Sequence, residues 1–160
     1  MPLSAYRVID FSFEDVDTLR PDAPLRAVIE GIGGTKYDCY VVVDADEHPL
    51  GIVTTTDIVR RLLAEEPLGG GYLKAILQSS DAAIEFVREA QRAHGHTVAD
   101  AMTSPLITLD AEDTLRRAAE ILSEHHFKRI PVVRDGKLVG IFRAVDLIGP
   151  TLDVLDRAVD

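Results

Sequence analysis

The sequence predicts an α/β protein of two similar units, each with the order strand, helix, strand, strand, helix. Three observations lead to this prediction: an internal repeat, an apolar spacing typical of amphipathic helices, and short β-branched runs after those helices. Three residue types of the first copy recur ninety residues later, where Leu25, Arg26 and Glu30 are matched by Leu115, Arg116 and Glu120. Neither copy is large enough to bury both faces of its sheet alone. We therefore expect the units to pack sheet to sheet with pseudo-two-fold symmetry.

The first helix of each copy is predicted from apolar residues at positions i, i+3, i+4 and i+7, which form one helix face. These residues are Leu25, Val28, Ile29 and Ile32 in the first copy, and Leu115, Ala118, Ala119 and Leu122 in the second. Glycines at 31, 33 and 34 should end the first of these helices early.

The strands are predicted from short β-branched runs, each pair separated by a turn. They cover residues 40–43 and 50–53 in the first copy, and 130–133 and 138–142 in the second. Asp135-Gly136 between the last two runs is a strong hairpin signal. Lead-in strands should end at Leu19 and Leu109. Each returning strand then enters a helix headed by an aspartate, Asp57 or Asp146.

These elements divide the chain into three parts. Residues 1–66 are predicted to form the first domain and residues 98–160 the second. Residues 67–97 are predicted to be a connector that contains one helix, over 81–94.

Composition narrows the classes of function. The net charge of -10 disfavours a nucleic-acid partner, because phosphate binding needs a basic face. The single cysteine, Cys39, is expected to be a small buried hydrophobe. The sequence carries no visible signal peptide and no membrane-length apolar run, so a cytoplasmic protein without a membrane partner is expected.

Several motifs of the repeat resemble the CBS domain, a family named after cystathionine β-synthase. They are Val98–Pro105, Lys128–Val133 followed by Gly140–Phe142 and Asp146 in the second copy, and Val41–Val43, Leu50–Val53 and Thr54–Asp57 in the first. The connector is similar to that of stand-alone bacterial CBS pairs. The resemblance implies a tandem pair of CBS domains. Such pairs bind AMP, ADP, ATP, NAD or S-adenosylmethionine, and some bind nothing.

The first candidate site begins where a strand meets a helix, at Thr54, Thr56 and Asp57. A carboxylate can accept both hydroxyls of a ribose, and hydroxyls with free helix N–H groups can hold phosphate oxygens. The residues alone favour equally a helix cap, with Asp57 as the N-cap and threonines typical of the preceding strand. The resemblance favours the nucleotide site, because these positions match the family's ribose and phosphate motif.

The resemblance also implies that each site takes its ribose aspartate from one copy and its basic doublet from the other. The first site would then join Thr54, Thr56 and Asp57 to Lys128 and Arg129. Its adenine would lie near three apolar residues, Met102, Leu106 and Ile107. Lys128 and Arg129 have a structural alternative as solvated charges at the end of a helix.

In the same crosswise arrangement, a second, weaker site would combine Arg143 and Asp146 with Asp38, Cys39 and the strand from Ser12 to Asp17. Asp38 and Asp17 put negative charge where phosphate and adenine should go, although Arg143 is able to bind phosphate. Asp146 is equally well explained as a helix N-cap.

The leading hypothesis is a regulatory module that binds an adenine nucleotide (AMP, ADP or ATP) and has no catalytic residue, metal site or cofactor. The alternatives are an interaction or dimerisation module with no ligand, or a binder of NAD or S-adenosylmethionine. A homodimer is expected, with an unknown effector protein as the further partner. The residues expected to form the dimer surface are Ile58, Leu62, Leu63, Leu147 and Ile148.

Overall fold

The computed structural model describes residues 2–12, 15–35, 38–58 and 96–159. These residues form two compact α/β units, each with its own three-stranded sheet. No continuous sheet is shared by the two units in this part of the chain. The prediction of two α/β units is therefore confirmed.

The first-repeat unit comprises Asp17–Asp44 and Leu50–Pro105. Its elements are β1 (Thr18–Leu19), α1 (Leu25–Gly31), β2 (Cys39–Val43), β3 (Pro49–Thr54), a helical turn at 55–58, and α2 (Val98–Ala101). Strand β1 pairs with β2 in parallel, and the sheet order is β1-β2-β3. Helix α1 ends at Gly31 and passes into a 3-10 turn, as the glycine run predicts.

The second-repeat unit comprises Met1–Val16, Ala45–Pro49 and Leu106–Asp160. Its elements are β4 (Leu109–Asp110), α3 (Leu115–His125), β5 (Arg129–Arg134), β6 (Lys137–Arg143), a 3-10 helix (Ala144–Leu147) and α4 (Ile148–Val159). Strand β4 pairs with β5 in parallel, and β5 pairs with β6 as a hairpin. Both units thus repeat one order of elements.

The β5–β6 hairpin carries two features that fix its register. Asp135 and Gly136 have φ of 52° and 78°, the positive pair that a tight hairpin turn of this kind requires. A bulge between Val132 and Val133 then shifts the pairing by one residue. As a result, Arg129 lies directly opposite Arg143.

The segment that precedes each repeat in the sequence lies in the compact unit of the other repeat. Val8 is fully buried in the core of the second-repeat unit, where its N–H donates to the Asp113 carbonyl at 2.8 Å. Val98, ninety residues later, is fully buried in the core of the first-repeat unit, where its N–H donates to the Ala23 carbonyl at 2.8 Å. The compact units are therefore not continuous stretches of sequence. The domain limits 1–66 and 98–160 stay a prediction.

Each unit is built around its own apolar cluster. The core of the first-repeat unit contains Leu25, Val28, Val42, Val53, Ile58 and Val98. The core of the second-repeat unit contains Val8, Leu109, Ala111, Leu115, Ala118, Ile121, Leu122, Ile130, Val132 and Phe142. The helix faces predicted from the spacing are thus the faces that pack.

Burial changes the expected dimer surface. Ile58 is a core residue of the first-repeat unit, and Leu147 is a partly buried residue packed on the other core. Ile148 is 57% exposed and remains a surface residue. Leu62, Leu63 and the connector helix predicted over 81–94 lie outside the described residues.

Candidate functional site

The turn from β3 into the helix at 55–58 is organised by Asp57, the one buried charged residue in the described part of the chain. Its Oδ2 accepts hydrogen bonds from the Thr54 backbone N–H at 2.8 Å and from the Thr54 hydroxyl at 2.9 Å. Its Oδ1 accepts from the Thr103 hydroxyl at 2.9 Å. These hydrogen bonds hold the carboxylate at the end of a sheet strand.

This geometry corrects the structural alternative for Asp57. The N-cap is Thr54, whose hydroxyl faces the Asp57 N–H at 3.4 Å, and Asp57 is the third helical residue. Such a reciprocal pair is a capping box, with aspartate in the position that glutamate usually holds. The box leaves the carboxylate as an acceptor at the turn.

Thr103 is a site residue that sequence reasoning missed. It reaches Asp57 because its backbone pairs with that of Ile52 in β3. The Thr103 N–H donates to the Ile52 carbonyl at 2.9 Å, and the Ile52 N–H donates to the Thr103 carbonyl at 3.3 Å. Gly51 permits this approach, since a Cβ there would lie 2.9 Å from the Thr103 carbonyl oxygen and 2.6 Å from the Met102 sulfur. The sequence feature that could have identified Thr103 is its hydroxyl, directly after Met102 of the predicted site.

The remaining residues of the first predicted site are divided between the units. Thr54 and Met102 are partly buried in the first-repeat unit, and Thr56 is exposed there. Leu106 and Ile107 are partly buried in the second-repeat unit, where Ile107 packs on the core. In that same unit Lys128 is exposed and Arg129 partly buried. The structure thus brings Thr54, Asp57 and Thr103 together, and the crosswise joining to Arg129 stays a prediction.

The corresponding turn of the second-repeat unit is organised by an ion pair. Asp146 Oδ2 accepts from the Arg143 backbone N–H at 2.8 Å, and Oδ1 accepts from the Arg143 Nη2 at 2.8 Å. The side chains of Arg143 and Asp146 are 31% and 9% exposed. Asp146 is the third residue of the 3-10 helix, so its predicted role as N-cap is wrong, since Arg143 holds that position.

The structure also describes the residues that were expected to weaken the second site. Cys39 is 1% exposed, in agreement with its prediction as a buried hydrophobe, whereas Asp38 is exposed with φ of 52°. The next residue, Tyr40, has a pKa raised by burial and further raised by the negative charge of Asp17. Its hydroxyl therefore stays protonated over the ordinary pH range.

None of the described helices is long and apolar enough to cross a bilayer.

Sequence comparison identifies a family match on both repeats. The model of the CBS domain matches residues 8–64 and 98–149. The chain is also 31% identical over 119 residues to an uncharacterized protein of Methanocaldococcus jannaschii, which covers 74% of this chain and 25% of that protein. The chain thus spans about a quarter of that relative's length.

Solved structures agree with this assignment. The CBS domain of a CBS-domain-containing membrane protein from Sphaerobacter thermophilus is similar with a TM-score of 0.68 and 31% identity, covering 90% of this chain and 86% of that one. CBSX2 of Arabidopsis thaliana, crystallised in complex with AMP, has the same fold with a TM-score of 0.67 and 24% identity, covering 93% and 98%. The chain therefore belongs to the CBS domain family and carries its characteristic repeat twice.

Proposed function

We propose that this chain is a non-catalytic regulatory module that binds an adenine nucleotide, with the ribose at Asp57. The observation that carries the proposal is the Asp57 carboxylate, held at a strand end by hydroxyl and N–H donors. A ribose hydroxyl is a donor of the same kind as the Thr103 hydroxyl, and it can take the place of Thr103 at Oδ1. Family membership and the AMP complex of the relative CBSX2 support adenosine as the nucleoside.

Hydrogen bonding favours Asp57 over Asp146 as the ribose acceptor. Asp57 accepts from two threonine hydroxyls, and a ribose hydroxyl can replace a donor of the same kind. Asp146 accepts from the Arg143 guanidinium in an ion pair of 2.8 Å. A ribose hydroxyl that displaced Arg143 would break that ion pair, and this makes Asp57 the better anchor.

The phosphate end of the ligand is assigned to Lys128 and Arg129 within the same proposal. Within the described residues neither side chain has a carboxylate within ion-pair distance, so their charges can be used by a ligand. Met102, Leu106 and Ile107 would supply the apolar surface for adenine. This crosswise assignment rests on the family resemblance.

The proposal is tested by thermal unfolding of the full chain with AMP, ADP, ATP, NAD and S-adenosylmethionine, and with adenine as the control. A ligand at ~100 times its Kd stabilises the fold by roughly 2.7 kcal/mol, which raises the Tm by roughly 5–10 °C. We expect this rise with at least one adenine nucleotide and not with adenine. If none of these compounds moves the Tm, the proposal fails.

An interaction module is the second candidate, favoured by one exposed apolar stripe. Val145, Ile148, Leu152 and Leu155 are 53–57% exposed and follow one another at spacings of three, four and three residues along the 3-10 helix and α4. Monomeric proteins rarely expose such a surface without a partner. Under this proposal the partner is a second copy. Light scattering should then give a dimer mass for the native chain and a monomer mass for Leu152→Ser.

A further inference from the structure

The Asp57 carboxylate already accepts too many hydrogen bonds for a ligand with two hydroxyls simply to join them. A carboxylate has two oxygens with about four lone-pair sites in all. The donors described above fill at least three of these sites, because Oδ2 accepts from the Thr54 N–H and hydroxyl, and Oδ1 accepts from the Thr103 hydroxyl. The two neighbouring hydroxyls of a ribose can therefore both bind Asp57 only if one of these donors leaves.

The donors of Thr54 are tied to the helical turn at 55–58. Thr54 is the N-cap of that turn, and its N–H and hydroxyl donate to the carboxylate three residues later as part of the capping box. Its hydroxyl oxygen also faces the Asp57 N–H at 3.4 Å. Loss of either donor would open the start of the helix, so Thr54 is poorly placed to make room for a ligand.

Thr103 is better placed to leave. It lies 46 residues from Asp57 in the sequence, takes no part in the capping box and is exposed, whereas Asp57 is buried. Its backbone stays paired with that of Ile52, so the hydroxyl can leave Oδ1 by rotation about the Cα–Cβ bond alone. Water can then replace Asp57 as its partner, and the exchange costs only the net value of one hydrogen bond.

We propose that Thr103 is an internal competitor for the ribose: in the free chain its hydroxyl occupies the position on Asp57 Oδ1 that a ribose hydroxyl takes on binding. A nucleotide with an intact ribose must displace this hydroxyl, whereas a deoxy nucleotide brings one hydroxyl fewer and leaves Thr103 in place. Thr103 thus lowers the affinity for ribonucleotides and narrows the preference for ribose over deoxyribose. This inference rests on the proposed function for the position of the ribose.

The experiment is calorimetric titration of the full chain with AMP and ATP and with the 2′-deoxy and 3′-deoxy forms of each. Thr103→Val replaces the hydroxyl by a methyl group of nearly the same shape, so it removes the competitor and little else. It should strengthen the binding of AMP and ATP by about twofold to tenfold, because no hydrogen bond to Asp57 has to be broken. The deoxy forms should bind Thr103→Val and the native chain equally.

Two further variants serve as controls. Thr103→Ser keeps the hydroxyl and should bind all these nucleotides as the native chain does. Thr97→Val removes the hydroxyl that donates to Asp100 Oδ2 at 3.1 Å, a threonine–aspartate pair at the start of α2, and should also leave the affinities unchanged. Thr103→Ala lacks the hydroxyl as well, and it takes the place of Thr103→Val if that variant does not fold.

The outcomes separate this inference from the proposed function. Affinities for AMP and ATP that are unchanged or weakened in Thr103→Val overturn the competitor and leave the nucleotide function standing. A gain of the same size for the deoxy forms also overturns it, since the effect would then not involve the ribose. Absence of AMP and ATP binding in both the native chain and Thr103→Val overturns the nucleotide function and this inference together.

Discussion

The two repeats use the same backbone arrangement at the strand-to-helix turn but surround its carboxylate with different charges. In each, a backbone N–H donates at 2.8 Å to the aspartate three residues later, which is Asp57 or Asp146. Asp57 also accepts hydrogen bonds from two hydroxyls, and Asp146 from a guanidinium. The shared bond therefore serves the helix, whereas the partners that differ set the electrostatics.

This difference shows how a duplicated backbone motif can present different side-chain partners. At the first-repeat turn, two threonine hydroxyls donate to Asp57, and under the proposed function a ribose hydroxyl takes the place of one of them. At the second-repeat turn, Arg143 and Asp146 form an ion pair instead. Each of the four predictions below tests one part of this comparison.

The largest effect is expected from a charge placed in the exchanged lead-in segments. Val8→Asp and Val98→Asp each bury an unpaired carboxylate at a position that is fully buried. Both should cost more than about 4 kcal/mol of unfolding free energy, and the two losses should be similar because the positions are equivalent. Chemical denaturation followed by circular dichroism measures this. A folded, native-like Val8→Asp would contradict the assignment of residues 1–16 to the second-repeat unit.

The next effect concerns the close approach that brings Thr103 to Asp57. Gly51→Ala places a Cβ against the Thr103 backbone and should cost about 1–3 kcal/mol. Gly149→Ala is the matched control in α4, where an added Cβ meets nothing within 4 Å, and it should stabilise by up to about 1 kcal/mol. Denaturant titration of both variants provides the comparison. If both variants changed the free energy of unfolding equally, the close approach at Gly51 would not be the cause.

A smaller effect separates the two turns by their response to salt. Asp57→Asn and Asp146→Asn each weaken a capping arrangement and should cost about 1 kcal/mol at low ionic strength. Asp146→Asn also removes the 2.8 Å ion pair with Arg143, so its loss should shrink as salt is raised. Unfolding is measured at low and high salt for both variants. A loss in Asp146→Asn that does not change with salt would contradict a contribution from this ion pair.

The elements themselves were predictable because the repeat gives each one twice. The apolar spacing around Leu25 and Leu115 marked the buried faces of α1 and α3, and the Asp135-Gly136 pair marked the hairpin. Local patterns of this kind depend on residues near in sequence. They are the part of the fold that a single sequence carries most directly.

The exchange of lead-in segments was not predictable from such patterns. Tyr6, Val8 and Ile9 pair with backbone N–H and carbonyl groups of residues 111–115. Nothing in the spacing of this segment specifies which unit it joins. The same offset of ninety residues links Val8 to Val98. Such an offset shows that the two positions are equivalent, but it does not show which residues they contact. Long-range pairing of this kind needs the tertiary structure.

Sequence reasoning named residues of the candidate site but not the contacts that they make. Asp57 and Arg143 were both named, but the structural alternative for Asp57, an N-cap, is wrong because Asp57 is the third helical residue. Counting back from the turn without the bulge would place Arg129 opposite Phe142, with Arg143 on the other face. A one-residue shift in register moves the side chains of a strand to the other face of the sheet. The pairing of Arg129 with Arg143 therefore depends on a bulge that no sequence pattern indicates.

The most direct test of the central claim is calorimetric titration with the adenine nucleotide that stabilises the chain most, on the native chain, Asp57→Asn and Asp100→Asn. Asp100 is the matched control, because Thr97 donates to it through its N–H at 2.8 Å and its hydroxyl at 3.1 Å, as Thr54 does to Asp57. The predicted result is saturable binding that falls by about tenfold or more in Asp57→Asn and is unchanged in Asp100→Asn. Binding that survives intact in Asp57→Asn, or that is absent from the native chain, would contradict the assignment of the nucleotide to Asp57.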